Sequence, residues 1–583
     1  MITNKEWFNN NYEPYWLLKK DGKKQYPRDS QINILKQIDD AINSGYKNII
    51  VNAGVGIGKS AICSTILNSF NSGYICTQNI NLQNQYLNDF HNLTELKGKP
   101  NYNCNYGGTC DNCRITYLND HGSFDQKLDV LNEYGRNFQR PENCSDEKWF
   151  EIIMDLKLWK CNNCDYKIAI LNAQLNPYVI ANYHSLYFNS AVIKRFEPRD
   201  IILFDECHNL ESIGMDMVKF TFNPNTFYKK FDIDVFDTTI SELKSTEYWE
   251  LILGIKQDKL TDERMEYQSL LDNMDDYFNA PINEMAIKNI INDIDIELTT
   301  LEYHIDLLAD GMYINLPSPN NRKINISSKF NKITFEPVFG EQYVSNFLEM
   351  GDTRIYLTGT LPTPKKWSEW IGVDYSDVKY IYEKSPYPVG NRPIVYSPID
   401  NFNGKKNKYG EYNWMKHENI LKIRQLLYKH DGEKVIIHTT SNDQTNWLYN
   451  NLIHDFDCVI ASGKNRNEII DEFKKNDTYS ILISPCIKEG VDFKGDCCTV
   501  QIILKLPRPG YYGAVKERVS RYNDSDFMDF FTAINLMQAY GRGVRSPTDS
   551  CVTYILDNEF KKWHNKGGKF FLNEYFLEAL GGL

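Results

Sequence analysis

The sequence predicts an α/β protein with two parallel-sheet domains, the first of them interrupted twice. Three observations lead there. Short apolar strands alternate with helical stretches over residues 20–100 and again over 370–583, the pattern of parallel sheets covered by helices. A run of cysteines breaks the first alternation between 101 and 175, and a helix-period stretch breaks it between 225 and 330. The strand signal returns after each break, so both are insertions. At 583 residues the chain exceeds what one hydrophobic core serves, and about three or four compact units are expected.

The plan assigns residues 1–100, 176–224 and 331–368 to the first sheet domain, 101–175 to the cysteine insertion, 225–330 to the helical insertion and 369–583 to the second sheet domain. Strands are expected near 49–51, 74–76, 178–181, 201–204 and 354–357 in the first, and near 435–438, 458–461, 481–484, 500–504 and 552–556 in the second. In the helical insertion Ile287, Ile291, Ile294, Leu298, Leu301, Ile305 and Leu308 recur at alternating steps of four and three. Such a seam must pack against another helix. Seven acidic residues against one lysine between Glu284 and Asp310 make its outer surface a solvated face, poorly suited to gripping phosphates.

Composition bounds the function. With 42% hydrophobic and 24% charged residues the chain reads as globular, and no stretch approaches the roughly 18 apolar residues of a membrane span. The N-terminus, MITNKEWFNN, has no apolar core for a signal peptide, so a cytoplasmic location is expected. A formal charge of −12 excludes coating nucleic acid through bulk positive potential and leaves room for a local basic channel. Six cysteines (Cys104, Cys110, Cys113, Cys144, Cys161, Cys164) fall within 61 residues, where even spacing of 14 over 583 gives about 1.5. In a reducing compartment such a cluster points to metal rather than disulfides.

Three motifs carry chemistry. Ala53-Gly54-Val55-Gly56-Ile57-Gly58-Lys59-Ser60 follows a strand and opens a helix. Its glycines let backbone N–H groups turn towards phosphates, Lys59 adds charge, and the Ser60 hydroxyl can ligate magnesium. Ala53 stands where the simplest pattern has glycine. The strand through Ile201 ends in Asp205-Glu206-Cys207-His208, where an aspartate at the strand's C-terminal end can hold Mg2+ and the next glutamate can orient or deprotonate a water. His208 can sense the γ-phosphate or couple it to a neighbouring domain. Near the other end, Gln538-Ala539-Tyr540-Gly541-Arg542-Gly543-Val544-Arg545 sets two arginines three residues apart on one face of an expected helix. Planar guanidinium groups suit a transferring phosphate, and arginines from a second domain make hydrolysis depend on closure.

These three elements, in this order, resemble the superfamily-two helicases. Smaller matches extend the likeness: Arg28 and Gln31 resemble the adenine-reading element; Cys76-Thr77-Gln78-Asn79 onward, the strand-end motif that touches DNA; Leu357-Thr358-Gly359-Thr360-Leu361, the coupling motif; and Glu489-Gly490-Val491-Asp492-Phe493, the second-domain motif that meets DNA and nucleotide. The cysteines narrow the family to the iron-sulfur XPD and DinG proteins. The segment Leu96 to Cys104 resembles the entry to their cluster domain, and Cys164-Asp165-Tyr166 its exit, with Asp165 in place of the usual proline. Ile503-Leu504-Lys505-Leu506-Pro507-Arg508-Pro509 resembles a stretch of DinG relatives in which phenylalanine is usual where Arg508 stands.

The resemblance implies two RecA-like motor domains, the first interrupted by an iron-sulfur domain and a helical arch. It implies ATP and Mg2+ as cofactors, with a 4Fe-4S cluster on Cys104, Cys110, Cys113 and Cys164. Pairing Cys110-x-x-Cys113 with Cys161-x-x-Cys164 would instead make a zinc site. Implied roles are catalysis for Lys59, Asp205, Glu206, His208, Gln538, Arg542 and Arg545. Nucleotide binding falls to Arg28, Gln31, Gly54, Gly56, Gly58, Lys59, Ser60 and Asp492, and DNA contact to Thr77, Gln78, Thr439 and Arg508. The expected partners are single-stranded or forked DNA and replication or repair proteins, the expected state a monomer, and the expected movement 5'-to-3'. A DNA-stimulated translocase that does not separate strands, with structural zinc in place of the cluster, is the alternative.

Overall fold

The computed structural model describes residues 4–12, 26–78, 80–103, 164–272, 281–309, 311–316, 332–404, 406–463, 465–475, 479–485, 491, 493 and 495–581. Its framework is two parallel sheets. The first has seven strands in the order Val378–Glu383, Asn48–Ala53, Gly351–Thr358, Arg199–Asp205, Gly73–Thr77, Tyr178–Asn182, Thr94–Leu96. The second has six, in the order Ile394–Asp400, Val552–Asp557, Val500–Ile503, Val435–His438, Ile481–Ser484, Cys458–Ile460. Both are covered on two faces, which is why their central strands read as unbroken apolar runs: Asn48–Ala53, Gly73–Thr77, Val435–His438 and Ile481–Ser484 are buried throughout. One face of the first sheet packs Ile34, Ile38, Ile62 and Leu203. The other is aromatic: Phe204 stacks on Tyr183 and Tyr356, with Phe347 edge-on.

One boundary moves. The sequence-based plan starts the second domain at 369, yet the strand Val378–Glu383 pairs in parallel with Asn48–Ala53, in register Asn48↔Val378. The first domain therefore runs through Glu383. A strand at that sheet's edge gives the same local signal as the first strand of a new sheet, so the sequence alone does not divide them.

The helical insertion is a hairpin of Thr246–Asp272 and Pro281–Ala309. Its expected seam is buried at Ile291, Ile294, Leu301 and Leu308, opposite Trp249, Ile252, Leu253 and Leu260. The ion pairs Lys256–Glu297 (2.6 Å) and Arg264–Asp295 (2.5 Å) tie the two helices at the rim, where each contributes at most about 1 kcal/mol. At its root lies a small antiparallel sheet absent from the sequence-based plan, in the order Phe220–Phe222, Ile333–Glu336, Tyr313–Asn315. Strands of three and four residues leave too short a period to read. Of the proposed cluster ligands, Cys104, Cys110 and Cys113 lie outside the described residues, as do Cys144 and Cys161; Cys164 caps the helix Asp165–Leu175.

Candidate nucleotide site between the two sheets

The glycine loop leaves the strand Asn48–Ala53 and enters the helix Lys59–Leu67. Gly56 and Gly58 sit at φ 89° and 87°, a left-handed conformation that side chains resist. Space is also tight. A Cβ on Gly56 would lie 2.1 Å from the Tyr387 ring, and one on Gly54 2.6 Å from the Ser385 backbone nitrogen. Arg28 and Gln31 brace this loop from behind: the Arg28 guanidinium donates to the Gly56 carbonyl, and Gln31 Nε2 donates to the Gly58 carbonyl at 3.3 Å. The side-chain oxygen of Gln31 accepts the Arg28 backbone N–H at 2.9 Å, so the expected adenine-reading pair forms the helix-capping turn beside the loop.

Asp205 ends the strand Arg199–Asp205 and is buried, with Tyr86 donating its hydroxyl to Oδ2 at 2.8 Å and the Glu206 N–H meeting Oδ1 at 3.0 Å. Burial, then the neighbouring Glu206 charge, raises its pKa to about 6, against the opposing pull of Lys59 and Tyr86. Glu206 adopts φ 55°, strained for a residue with a side chain, and its carboxylate comes within 3.9 Å of Lys59 Nζ and 3.4 Å of His208 Nδ1. Lys59, Asp205 and Glu206 are thus one cluster. The donor set suits magnesium-bound phosphate: a desolvated carboxylate whose two oxygens are already oriented, beside a lysine, with Ser60 next to Lys59 in the chain.

His208 connects that cluster to the second domain. Gln538 Nε2 lies 2.7 Å and Asn209 Nδ2 2.9 Å from His208 Nε2, while Nδ1 faces the hydroxyls of Thr358 at 2.9 Å and Thr360 at 3.3 Å. Two amide nitrogens on Nε2 make it the acceptor and put the ring proton on Nδ1. Asn209 Nδ2 also donates to Gln78 Oε1 at 2.6 Å, so the Asp-Glu-Cys-His turn, the Thr358–Thr360 segment, Gln78 and Gln538 form one hydrogen-bonded network.

The two arginines differ from expectation in their secondary structure. The helix Ser525–Tyr540 stops at Gly541, and Arg542 and Arg545 lie in the turns beyond it. Gly541 abuts Val55 of the phosphate loop, and a Cβ on Gly543 would come within 2.3 Å of Cys551 Sγ. Asp549 then holds the turn by accepting the N–H groups of Arg545 and Ser546 at 2.8 and 2.9 Å. Arg542 Nη1 donates to the Val491 carbonyl at 3.1 Å, and Tyr387, packed on Gly56, donates its hydroxyl to the Arg545 carbonyl. The arginine turn therefore lies against the phosphate loop.

Two expected DNA contacts are corrected. Thr77 is 0% exposed, and Thr439 is buried with its hydroxyl 2.6 Å from that of Thr445. Thr77 ends the strand Gly73–Thr77 and Thr439 follows the strand Val435–His438, and both are buried, so neither hydroxyl is presented to a strand of DNA here. Gln78 is half-buried and Arg508 exposed, and both stay accessible. Asp492 lies outside the described residues. Sequence reasoning missed Tyr86, Asn209, Ser385 and Tyr387: the two tyrosines and Ser385 fall outside every motif, and no spacing rule points to them.

Comparison with known proteins agrees with this geometry. Residues 24–229 match the family described as type III restriction enzyme, res subunit, and residues 423–574 match the helicase C-terminal domain. A probable ATP-dependent helicase of Methanocaldococcus jannaschii is 23% identical over 639 residues, covering 92% of this chain and 93% of its own length. Among solved structures, an XPD helicase shares 14% identity at a TM-score of 0.53, covering 94% of this chain and 98% of its own. An apo XPD structure shares 13% at 0.50, covering 92% and 98%; both likenesses concern the fold. Among the described residues, no helix is long and apolar enough to cross a membrane. A res-subunit match over the first motor domain and a helicase C-terminal match over the second, similarity to a probable ATP-dependent helicase along most of the chain, and a phosphate loop and arginine turn in apposition make this chain an ATP-hydrolysing helicase of superfamily two, with a fold like that of XPD structures.

Proposed function

We propose that the chain moves 5'-to-3' along single-stranded DNA, drawing on ATP held between the two motor domains, and that the cysteine insertion carries a 4Fe-4S cluster and helps to part the strands. The observation that carries the reading is the hydrogen-bonded contact of Gln538 with His208. It ties the far domain to the acidic turn that faces the phosphates, and through Asn209 to Gln78 at the end of the strand Gly73–Thr77.

In this mechanism the N–H groups of the glycine loop and Lys59 bind the phosphates, and Ser60 and Asp205 orient the accompanying metal. Magnesium, when bound with ATP, neutralises charge developing on the phosphate oxygens. Glu206 directs the attacking water and accepts its proton. Arg545 and Arg542, delivered by the second domain, stabilise the transferring phosphoryl group only when the cleft is shut. His208 reports the change to Thr358, Thr360 and Gln78, so the DNA grip alternates with nucleotide state. Arg508 and the exposed Tyr511 and Tyr512 offer phosphate contact and base stacking on the second domain.

Fluorescent duplexes with a single 5' or 3' tail test the proposal. ATP-dependent strand separation from the 5' tail alone is expected; DNA-stimulated hydrolysis with no separation on either substrate would leave a translocase instead. Anaerobically purified protein should be brown with broad visible absorption from the cluster, whereas colourless protein holding stoichiometric zinc would replace the iron-sulfur assignment.

A further inference from the structure

Away from the nucleotide cleft, the helix Gly513–Arg521 of the second motor domain packs against both domains. Arg518 is 0% exposed and meets Glu211, itself 1% exposed, at 2.5 Å through Nη1; its Nε meets Asp524 at 2.7 Å. The guanidinium carbon stands 4.1 Å from the Phe527 ring centroid, 4.9 Å from Phe339 and 5.1 Å from Trp370. Glu211, Phe339 and Trp370 come from the first domain, Asp524 and Phe527 from the second. Nearby, the Ala514 N–H donates to Glu336 at 3.3 Å, and Glu336 also pairs with Lys219 at 2.7 Å. Phe527, Phe530 and Ile534 belong to the same apolar core as Trp370, Ile371 and Phe347, so the two motors share a core here.

Across the cleft the link is thinner. Among the described residues the second domain reaches the first there through Gln538 on His208, Asn573 on the Gly359 carbonyl at 3.1 Å, Glu574 on the Tyr382 hydroxyl at 3.1 Å, Ser385 on the Val55 carbonyl at 2.7 Å, and Tyr387 and Gly541 against Gly56 and Val55 of the phosphate loop, mostly single polar or loop contacts. A relative motion of the domains breaks the few polar links before it breaks a shared core, and so becomes a rotation about the core. Glu211 sits in the helix Leu210–Val218 that continues directly from His208 and Asn209, which ties the joint to the acidic turn. The pair is also a poor static clamp: Glu211 Oε2 and Arg518 Nη2 are buried without a hydrogen-bond partner, and replacing a buried ion pair by apolar side chains of the same volume is often neutral or stabilising.

We infer that Arg518, caged by Phe339, Trp370 and Phe527 and paired with Glu211, is the pivot on which the second motor domain swings, and hence a positioning residue for ATP turnover. The inference rests on the proposed domain closure. Its test uses the full chain with dyes at exposed Glu349 and Tyr409, one on each domain, introduced as non-natural amino acids. Energy transfer is followed on adding a non-hydrolysable ATP analogue, beside steady-state ATPase with single-stranded DNA. Arg518→Lys keeps the charge and loses the planar fork; Glu211→Gln keeps size and packing.

In both variants kcat should fall about ten-fold or more with KM for ATP changed less than about two-fold, and the analogue-induced shift should shrink by more than half. Folded variants with kcat within about two-fold of the parent and an undiminished shift would overturn the pivot, whatever their melting temperatures. A parent protein whose energy transfer never responds to the analogue would overturn the closure mechanism and the pivot with it. A parent that responds and variants that respond equally would overturn the pivot alone.

Discussion

Replacing Asp205 by asparagine should stabilise the nucleotide-free protein while abolishing its activity. The carboxylate is fully buried, and its pKa is raised to about 6 from the ordinary 3.8, chiefly by burial and then by Glu206. The ionised form is therefore disfavoured in the folded state by about 3 kcal/mol, at about 1.4 kcal/mol for each unit. The sign follows from linkage: a carboxyl whose folded pKa is raised binds more protons folded than unfolded between about 4 and 6, so its contribution to stability falls as pH rises through that window and stays low above it. The substituted amide carries no charge and escapes the loss. One oxygen that accepted a donor is replaced by an NH2 group, but the Tyr86 hydroxyl can turn and accept instead, leaving a net gain of about 1–3 kcal/mol. Thermal denaturation without nucleotide or magnesium should show Asp205→Asn melting about 2–6 °C above the parent at pH 8 and with almost no advantage at pH 4. ATP hydrolysis by the variant should be undetectable. A variant less stable than the parent at pH 8, or equally favoured at both pH values, would refute the reasoning.

Gln538→Ala removes the contact with His208 across the cleft; stimulation of hydrolysis by single-stranded DNA should fall about 10-fold to 100-fold with the DNA-free rate much less affected, as compared in parallel rate assays. Tyr86→Phe deletes the donor to Asp205 and so pushes that carboxyl higher. The variant should need more magnesium for half-maximal turnover at pH 6.5 than the parent, with the difference narrowing towards pH 8, as a magnesium titration at each pH would show.

The motor framework was legible because buried parallel strands write themselves as apolar runs: every strand expected from such a run appears within a few residues of its place. Lys59, Asp205 and His208 were legible because a strand end, a glycine turn and a helix start fix their positions locally. What failed is what depends on distant partners. The strand Val378–Glu383 joins the first sheet through pairing with residues more than 300 positions earlier, which no local pattern records. The helix leading to Arg542 and Arg545 ends at its C-cap Gly541, and Gly541 and Gly543 sit close to Val55 and Cys551, neighbours supplied only by the fold. Thr77 and Thr439 looked accessible because a strand end was equated with a surface, yet both are buried. Tyr86 and Arg518 carry no motif at all; their importance is visible only in what they touch.

Hydrolysis in the proposed mechanism needs a nucleotide cleft with one wall from each motor domain. Steady-state ATP hydrolysis with saturating single-stranded DNA, measured for Lys59→Ala and Arg545→Ala alongside ATP-analogue binding, tests it most directly. Turnover should be lost in both, by about 1,000-fold or more for the arginine, and Arg545→Ala should still bind the analogue. Hydrolysis by Arg545→Ala at the parent rate would contradict the claim, because the reaction would then need only one wall.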